Sequence, residues 1–254
     1  MSTRPPLLLL HGVTMSAAAW DTVAPLLDDR FDLIVPTALG HRGGPPVQGR
    51  ASVGALTDAI ESLLDELGLT KVHIAGNSMG GWMAIELARR GRASSVCALS
   101  PAGIWEPTAK PGRSRVTLMR TKKMADATRL LTPSLMRSGL LRRMILGNIA
   151  LHGNRLTAKQ ARTSFYDLVA CTAAEDLLTT SEYMQPFVDL PCPVTVAWSE
   201  GDRIFPPHEF VPTARRRLPA AHFSILPGVG HVPMIDNPES VAQAIVDSID
   251  GPVT

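Results

Sequence analysis

The chain has 254 residues, 45% of them apolar and 19% charged, with a formal net charge of +2. That balance suits one globular domain with a large buried core, or a domain carrying an insertion, and nothing global in it points to nucleic acid. No run of about eighteen apolar residues occurs, and the LLLL run near the start is too short for a signal-peptide core and lacks a cleavage site, so no transmembrane span is expected and a cytoplasmic protein is predicted.

Short apolar runs bounded by turn residues predict strands at 6–10 (PLLLL), 32–36, 71–76, 95–100, 193–198 and 222–228. Most are continuous rather than alternating, as expected of parallel strands buried on both faces. Between them, apolar residues at three-to-four spacing predict helices at 17–28, 52–67, 79–90 and 238–249, with Gly68 stopping the second. Strand alternating with helix implies an α/β fold: a mostly parallel central sheet of about six strands flanked by helices. The alternation fails between about 104 and 188, where helical patterns follow one another at about 114–126, 134–149 and 157–180. The chain therefore divides into a core of residues 1–103 and 189–254 and an all-helical insertion at 104–188. Residues 110–143 of that insertion carry ten Lys or Arg against one acid, Asp126, together with Met119, Met124 and Met136. The bland reading is a solvated helical face over an apolar inner one. The sharper reading is a surface that attracts anionic, apolar substrates or a lipid surface. Cys97, Cys171 and Cys192 are irregularly spaced; they read as reduced, mostly buried thiols, and no Cys/His spacing suits zinc.

Gly76-Asn77-Ser78-Met79-Gly80 fits G-x-S-x-G and lies between a strand-like run and a helix-like one, the setting that pattern needs. A sharp strand-to-helix turn there lifts the Ser78 hydroxyl over the sheet and leaves the Met79 N–H free to stabilise an oxyanion. A serine nucleophile needs a base. His231 follows the last strand-like run in a Gly-rich loop and is the best placed of seven histidines. His11 reads as a brace for its own loop and His73 as a core residue, while His41, His152, His208 and His222 have weaker context. The base needs an acid to orient it. Asp202 stands four residues beyond the fifth strand-like run, and the nearby Glu200 reads as a solvated loop carboxylate. The loop opened by His11-Gly12 can aim a second backbone N–H, that of Val13, at the same oxyanion.

With those residues in that order, the sequence resembles the α/β-hydrolase family over nearly its whole length. The resemblance is carried by His11-Gly12, Gly40-His41, the stretch Gly76 to Gly81, Asp202-Arg203 with Pro206, and Gly230-His231 with Pro238-Glu239. It implies Ser78, Asp202 and His231 as catalytic residues, Val13 and Met79 as oxyanion donors, no cofactor or metal, and a helical cap at 104–188 over the site. Thr37 stands where many relatives have Asp, Ser199 where many have Gly, and the hairpin that often precedes the first strand is missing from the pattern. A serine in place of the aspartate used by dehalogenases and epoxide hydrolases of this family implies acyl transfer to water, with a small-molecule ester as substrate. The GNSMGG elbow also resembles that of carbon–carbon bond hydrolases of ring-fission products, though HGVTMS and Val232 depart from their loops. Cofactor-free haloperoxidases or perhydrolases, and a non-catalytic binding protein on the same fold, are the other readings. Trp82, Trp105 and Met234 are candidate pocket residues.

Overall fold

The computed structural model describes residues 4–106 and 113–251; Lys110, counted above among the cations of the insertion, lies outside them. Six strands form one sheet: β1 (Pro6–Leu10), β2 (Asp32–Ile34), β3 (Val72–Asn77), β4 (Ala93–Leu99), β5 (Val194–Ser199) and β6 (His222–Leu226). Their order is β2-β1-β3-β4-β5-β6 and every neighbouring pair is parallel. The leucines of β1 show why the run is apolar throughout. Leu7 and Leu9 enter one core cluster with Trp20 and Leu27, while Leu8 and Leu10 enter the other with Leu64 and Met83. Each buried leucine contributes roughly 2 kcal/mol of transfer free energy. The chain runs outward from β1 to β2, then returns to β3 on the other side of β1. At such a reversal the loops leaving two adjacent strands diverge and open a crevice, here between the ends of β1 and β3.

The described residues also form ten α-helices. They are α1 (Val53–Glu66), α2 (Met79–Arg89), α3 (Arg113–Ala127), α4 (Thr132–Leu135), α5 (Gly139–Ile145), α6 (Ala158–Ala170), α7 (Ala174–Thr179), α8 (Pro207–Arg217), α9 (Pro233–Asp236) and α10 (Pro238–Asp250). Residues of α1, α2 and α8 build one face of the core and residues of α10 the other. Ser52 caps α1 by accepting from the Ala55 N–H, and Gly68 ends it at φ +68°.

Three helical expectations need correction. Residues 17–28 form two short 3-10 turns, Ala17–Trp20 and Ala24–Leu26; Pro25 has no N–H to continue an α-helical ladder. The pattern at 134–149 breaks at Ser138, whose side chain caps α5 afresh. The pattern at 157–180 divides after α6, because the Thr172 and Ala173 N–H groups turn aside to the Gly40 carbonyl. Gly40 is at φ +70°, and a Cβ there would lie 2.7 Å from the Ala173 side chain. Helix α8 was not anticipated: Pro206, Pro207 and Pro212 hide it, yet a proline in the first turn is tolerated.

Candidate active site

Four loops meet at the carboxyl ends of the strands. The turn after β3 is the tightest. Ser78 sits at φ 57° and ψ −115°, a conformation that a residue with a side chain adopts only when its surroundings force it. A Cβ on Gly76 would lie 2.2 Å from the Gly80 carbonyl oxygen, and one on Gly80 would lie 2.2 Å from that of Leu10. The first glycine thus lets the turn close on itself, and the second lets α2 approach the end of β1. Ser78 N–H donates to the Leu99 carbonyl at 3.0 Å, and its own carbonyl accepts from Ala102 and Trp82. The serine is thereby held between β3, β4 and the start of α2, with its side chain 6% exposed. Met79 is the first residue of α2, where an N–H has no partner within the helix.

His231 and Asp202 are brought together. His231 Nδ1 donates to Asp202 Oδ2 at 2.7 Å, which leaves Nε2 as the ring's acceptor. Asp202 Oδ1 accepts from the Ile204 and Phe205 N–H groups, each at 2.8 Å, so the buried carboxylate is satisfied on both oxygens. The Phe205 ring packs edge-on against the imidazole at 5.0 Å. Glu200 is turned away and accepts from the Gly228 N–H at the surface. Among the described residues no hydrogen bond joins Ser78 Oγ to His231 Nε2, although both residues adjoin Phe205.

Val13, Ser78 and Met79 line one cavity of about 40 Å³ with Trp82, Trp105 and Phe205. Arg115, Leu118, Leu177 and Leu178, from the helices between β4 and β5, close its other side. Arg115 is its one charged lining residue. Its guanidinium donates to the carbonyls of Leu178 and Thr180 and faces the Trp105 ring at 5.3 Å, with no carboxylate paired to it among the described residues. Burial pushes its pKa down. A second, apolar cavity of about 110 Å³ lies on the other side of Leu118, lined by Met15, Met136, Phe165 and Ile235 among others. Larger surface hollows of about 340 and 600 Å³ do not reach Ser78. Met234 lines one of those, so of the three pocket candidates Trp82 and Trp105 are at the serine and Met234 is not.

The remaining histidines have structural partners or none. His11 Nε2 accepts from the Ala38 N–H at 3.0 Å, and Nδ1 donates to the Gly12 carbonyl at 2.8 Å. Burial and the neighbouring His41 lower its pKa to about 3, so the ring is neutral, as the Ala38 bond requires. His73 pairs with Ser95 on β4. Thr37 accepts from the Ala17 N–H and so ties its loop to the segment after β1.

Two residues escaped the sequence reading. Asn77 Nδ2 donates to the carbonyls of His231 (2.9 Å) and Leu99 (3.2 Å), tying the histidine loop to the nucleophile turn. Asp236 is fully buried, and its carboxylate accepts from the N–H groups of Gly230 (2.7 Å), Leu151 (2.9 Å) and His152 (2.6 Å). It therefore clamps the residue before His231 to the segment that follows α5 in the insertion, where Val232 N–H also meets the Ile149 carbonyl. The only signal for it was a carboxylate inside the apolar stretch VPMID, which burial without a partner would forbid.

Comparison with known proteins identifies the family of the fold. Residues 7–244 match the sequence model of the alpha/beta hydrolase family. The epoxide hydrolase EphH of Mycobacterium tuberculosis is 33% identical over 208 residues, which span 78% of this chain and 95% of that protein. A pimeloyl-acyl-carrier-protein methyl ester esterase of Aromatoleum aromaticum is 30% identical, covering 98% of this chain and 99% of its own. Among solved structures, a thermophilic esterase from Thermogutta terrifontis superposes with a TM-score of 0.70 at 26% identity, over 97% of this chain and 90% of the other.

Proposed function

The chain belongs to the alpha/beta hydrolase family, and on that premise we propose that it hydrolyses carboxylic esters through an acyl-enzyme on Ser78. The observation that carries this reading is the convergence on one cavity of a strained serine, Val13 and Met79, and Phe205, whose ring packs edge-on against His231 of the His231–Asp202 pair. Ser78 Oγ attacks the ester carbonyl while His231 Nε2 takes its proton, and the Val13 and Met79 N–H groups receive the developing oxyanion. The tetrahedral intermediate collapses, the alcohol leaves with the proton held by His231, and the acyl group stays on Ser78. Water then attacks, giving its proton to His231 Nε2. The second collapse frees the acid and returns that proton to Ser78. Asp202 holds the imidazole in the required tautomer and stabilises its protonated form. The Ser78–His231 bond closes when substrate fills the cavity, as catalytic hydrogen bonds often tighten only then.

The relatives named an epoxide hydrolase and a methyl ester esterase differ in chemistry, and the nucleophile chooses between them. A serine oxygen that opened an epoxide would form an ether, which water at a histidine base does not cleave. A serine that attacks a carbonyl forms an ester, which it does. The helices of residues 104–188 act as a cap, since they supply Arg115, Leu118, Leu177 and Leu178 to the cavity wall. The substrates are small to medium apolar esters, and Arg115 favours those with a carboxylate at the far end of the acyl chain.

The test combines a fluorophosphonate label with a screen of p-nitrophenyl esters of rising chain length, one half-ester of a dicarboxylic acid and one ring-fission dienoate. Labelling at Ser78, lost in Ser78→Ala, together with ester turnover, supports the reading. Fast dienoate cleavage with poor ester turnover replaces it by carbon–carbon hydrolysis. Arg115→Gln should lower kcat/KM about tenfold on the half-ester and little on neutral esters, roughly the effect of one partly buried charge pair.

A further inference from the structure

The outer surface of α3, α4 and α5 is unlike the rest of the molecule. Of thirteen large apolar side chains exposed among the described residues, eight lie between residues 116 and 145. Leu130 is 85% exposed, Leu131 70%, and Leu140 and Met144 69% each. They are not the inner face of a helix that lost its partner, because Met136 and Leu146 of the same stretch are already buried in the core. Leu131 and Leu135, and again Leu140 and Met144, stand four residues apart on one helical face. Exposed cations interleave with them: Arg120, Lys123, Arg129, Arg137 and Arg143. The one acid, Asp126, is paired with Lys122.

Residues 110–143 hold ten of the chain's 25 Lys and Arg and one of its 23 Asp and Glu, so the remainder of the chain is net acidic. A molecule near neutrality overall thus carries a strong charge asymmetry, positive at the insertion, and an anionic surface would orient it with that side inward.

We propose that the α3–α5 surface docks on anionic lipid bilayers, with Leu130, Leu131, Leu140 and Met144 entering the headgroup–acyl boundary and the arginines meeting lipid phosphates. Contiguous exposed apolar side chains rimmed by charge mark an interaction site rather than chance exposure. The composition of the surface favours a bilayer over a protein as its occupant. The core of a protein interface is enriched in aromatic residues and depleted in charge, whereas this surface has no exposed aromatic side chain and is interleaved with cations. Each cation near anionic lipid raises the partition about fivefold, and the leucines that enter the boundary add to that. Arg142 is not part of the contact: it donates to the Met136 and Arg137 carbonyls and holds the turn before α5. Docking would bring the serine's cavity, whose wall includes Leu118 of α3, to the phase in which apolar esters concentrate.

The experiment is flotation of the purified chain with vesicles of phosphatidylcholine mixed with phosphatidylglycerol, and with phosphatidylcholine alone. Binding is independent of Ser78 chemistry, so its failure and the failure of ester hydrolysis are separate results. Preferential flotation with anionic vesicles, weakened by about 0.5 M salt, is expected. Arg137→Gln with Arg143→Gln should lower the partition about thirtyfold, near fivefold for each charge. Leu130→Ser with Leu140→Ser should lower it at least as far, with turnover of a water-soluble ester unchanged as evidence of folding. No flotation, equal flotation with both vesicles, or a concentration-dependent dimer in light scattering that the leucine substitutions abolish would each overturn the proposal.

Discussion

The loops at the carboxyl ends of the strands and the helices from 113 to 149 treat their side chains in opposite ways. In the loops, several charged or titratable groups are buried and matched: Asp202 accepts three hydrogen bonds, Asp236 accepts three, and His11 uses both ring nitrogens, although His41 Nε2 and Asn77 Oδ1 have no partner among the described residues. In the helices, leucines stand in water and several arginines have no carboxylate partner among the described residues. A matched buried network tolerates no change, because each lost partner orphans another group. An exposed helical face can change freely as far as folding is concerned. The proposed reacting groups are thus held by the loops at the sheet's edge, and on that proposal the insertion is free to set what reaches them.

The largest effects should come from the matched side. Ser78→Ala should lower kcat by about 10⁴- to 10⁶-fold, read from steady-state turnover of a p-nitrophenyl ester. Ser78→Gly should be equally inactive yet about 1 kcal/mol more stable, since glycine relieves the φ of 57°. A serine variant that keeps a tenth of its activity would remove Ser78 from the mechanism.

Next comes Asp236. Asp236→Ala orphans three backbone N–H groups and should cost about 3 kcal/mol, a fall of roughly 6–12 °C in Tm. The His231 loop loses its tether at Gly230, so kcat should fall several-fold with KM little changed. A melt within a degree of the parent would show that water replaces the carboxylate and that the clamp is dispensable.

How visible each part was in the sequence follows the same division. The inner strands were legible because burial on both faces demands an apolar run, as in PLLLL and VCALS. The serine turn was legible because its glycines answer local collisions. Asp202 and His231 could be placed only by the order of strand ends. Asn77 and Asp236 were not legible as tethers: their most distant partners lie 154 and 85 residues away, and no local pattern announces a side chain that serves a distant backbone. Helix α8 was masked by its prolines. The exposure of the leucines at 130, 131, 135 and 140 was not legible, because three-to-four spacing normally marks an inner face.

His11 gives a smaller, pH-dependent test of the matched region. An unfolded histidine gains a proton below its ordinary value of 6.5, whereas folded His11 resists until about 3, because of burial first and His41 second. Its contribution to stability is whole above pH 6.5 and is lost as the pH falls toward 3, with a slope approaching ~1.4 kcal/mol per pH unit. His41, also lowered chiefly by burial, adds a slope of the same sign. Chemical denaturation from pH 7 down to 4 should show the parent losing stability faster than His11→Gln, which cannot titrate. Parallel curves would mean that the unfolded chain keeps His11 from water.

The smallest effect belongs to the exposed side, where its smallness is the point. Leu140→Ser should change folding stability by no more than about 0.5 kcal/mol, as for a surface position. Leu8→Ala in β1 should cost about 2–5 kcal/mol, because Leu8 is wholly buried while Leu140 is 69% exposed. Paired urea titrations would measure both. If Leu140→Ser instead cost as much as Leu8→Ala, the side chain would be covered in solution by something that folds with it, and the contrast between the two regions would collapse. If it costs nothing, folding gives no reason for leucine at that position, and the reason must lie in what the surface touches.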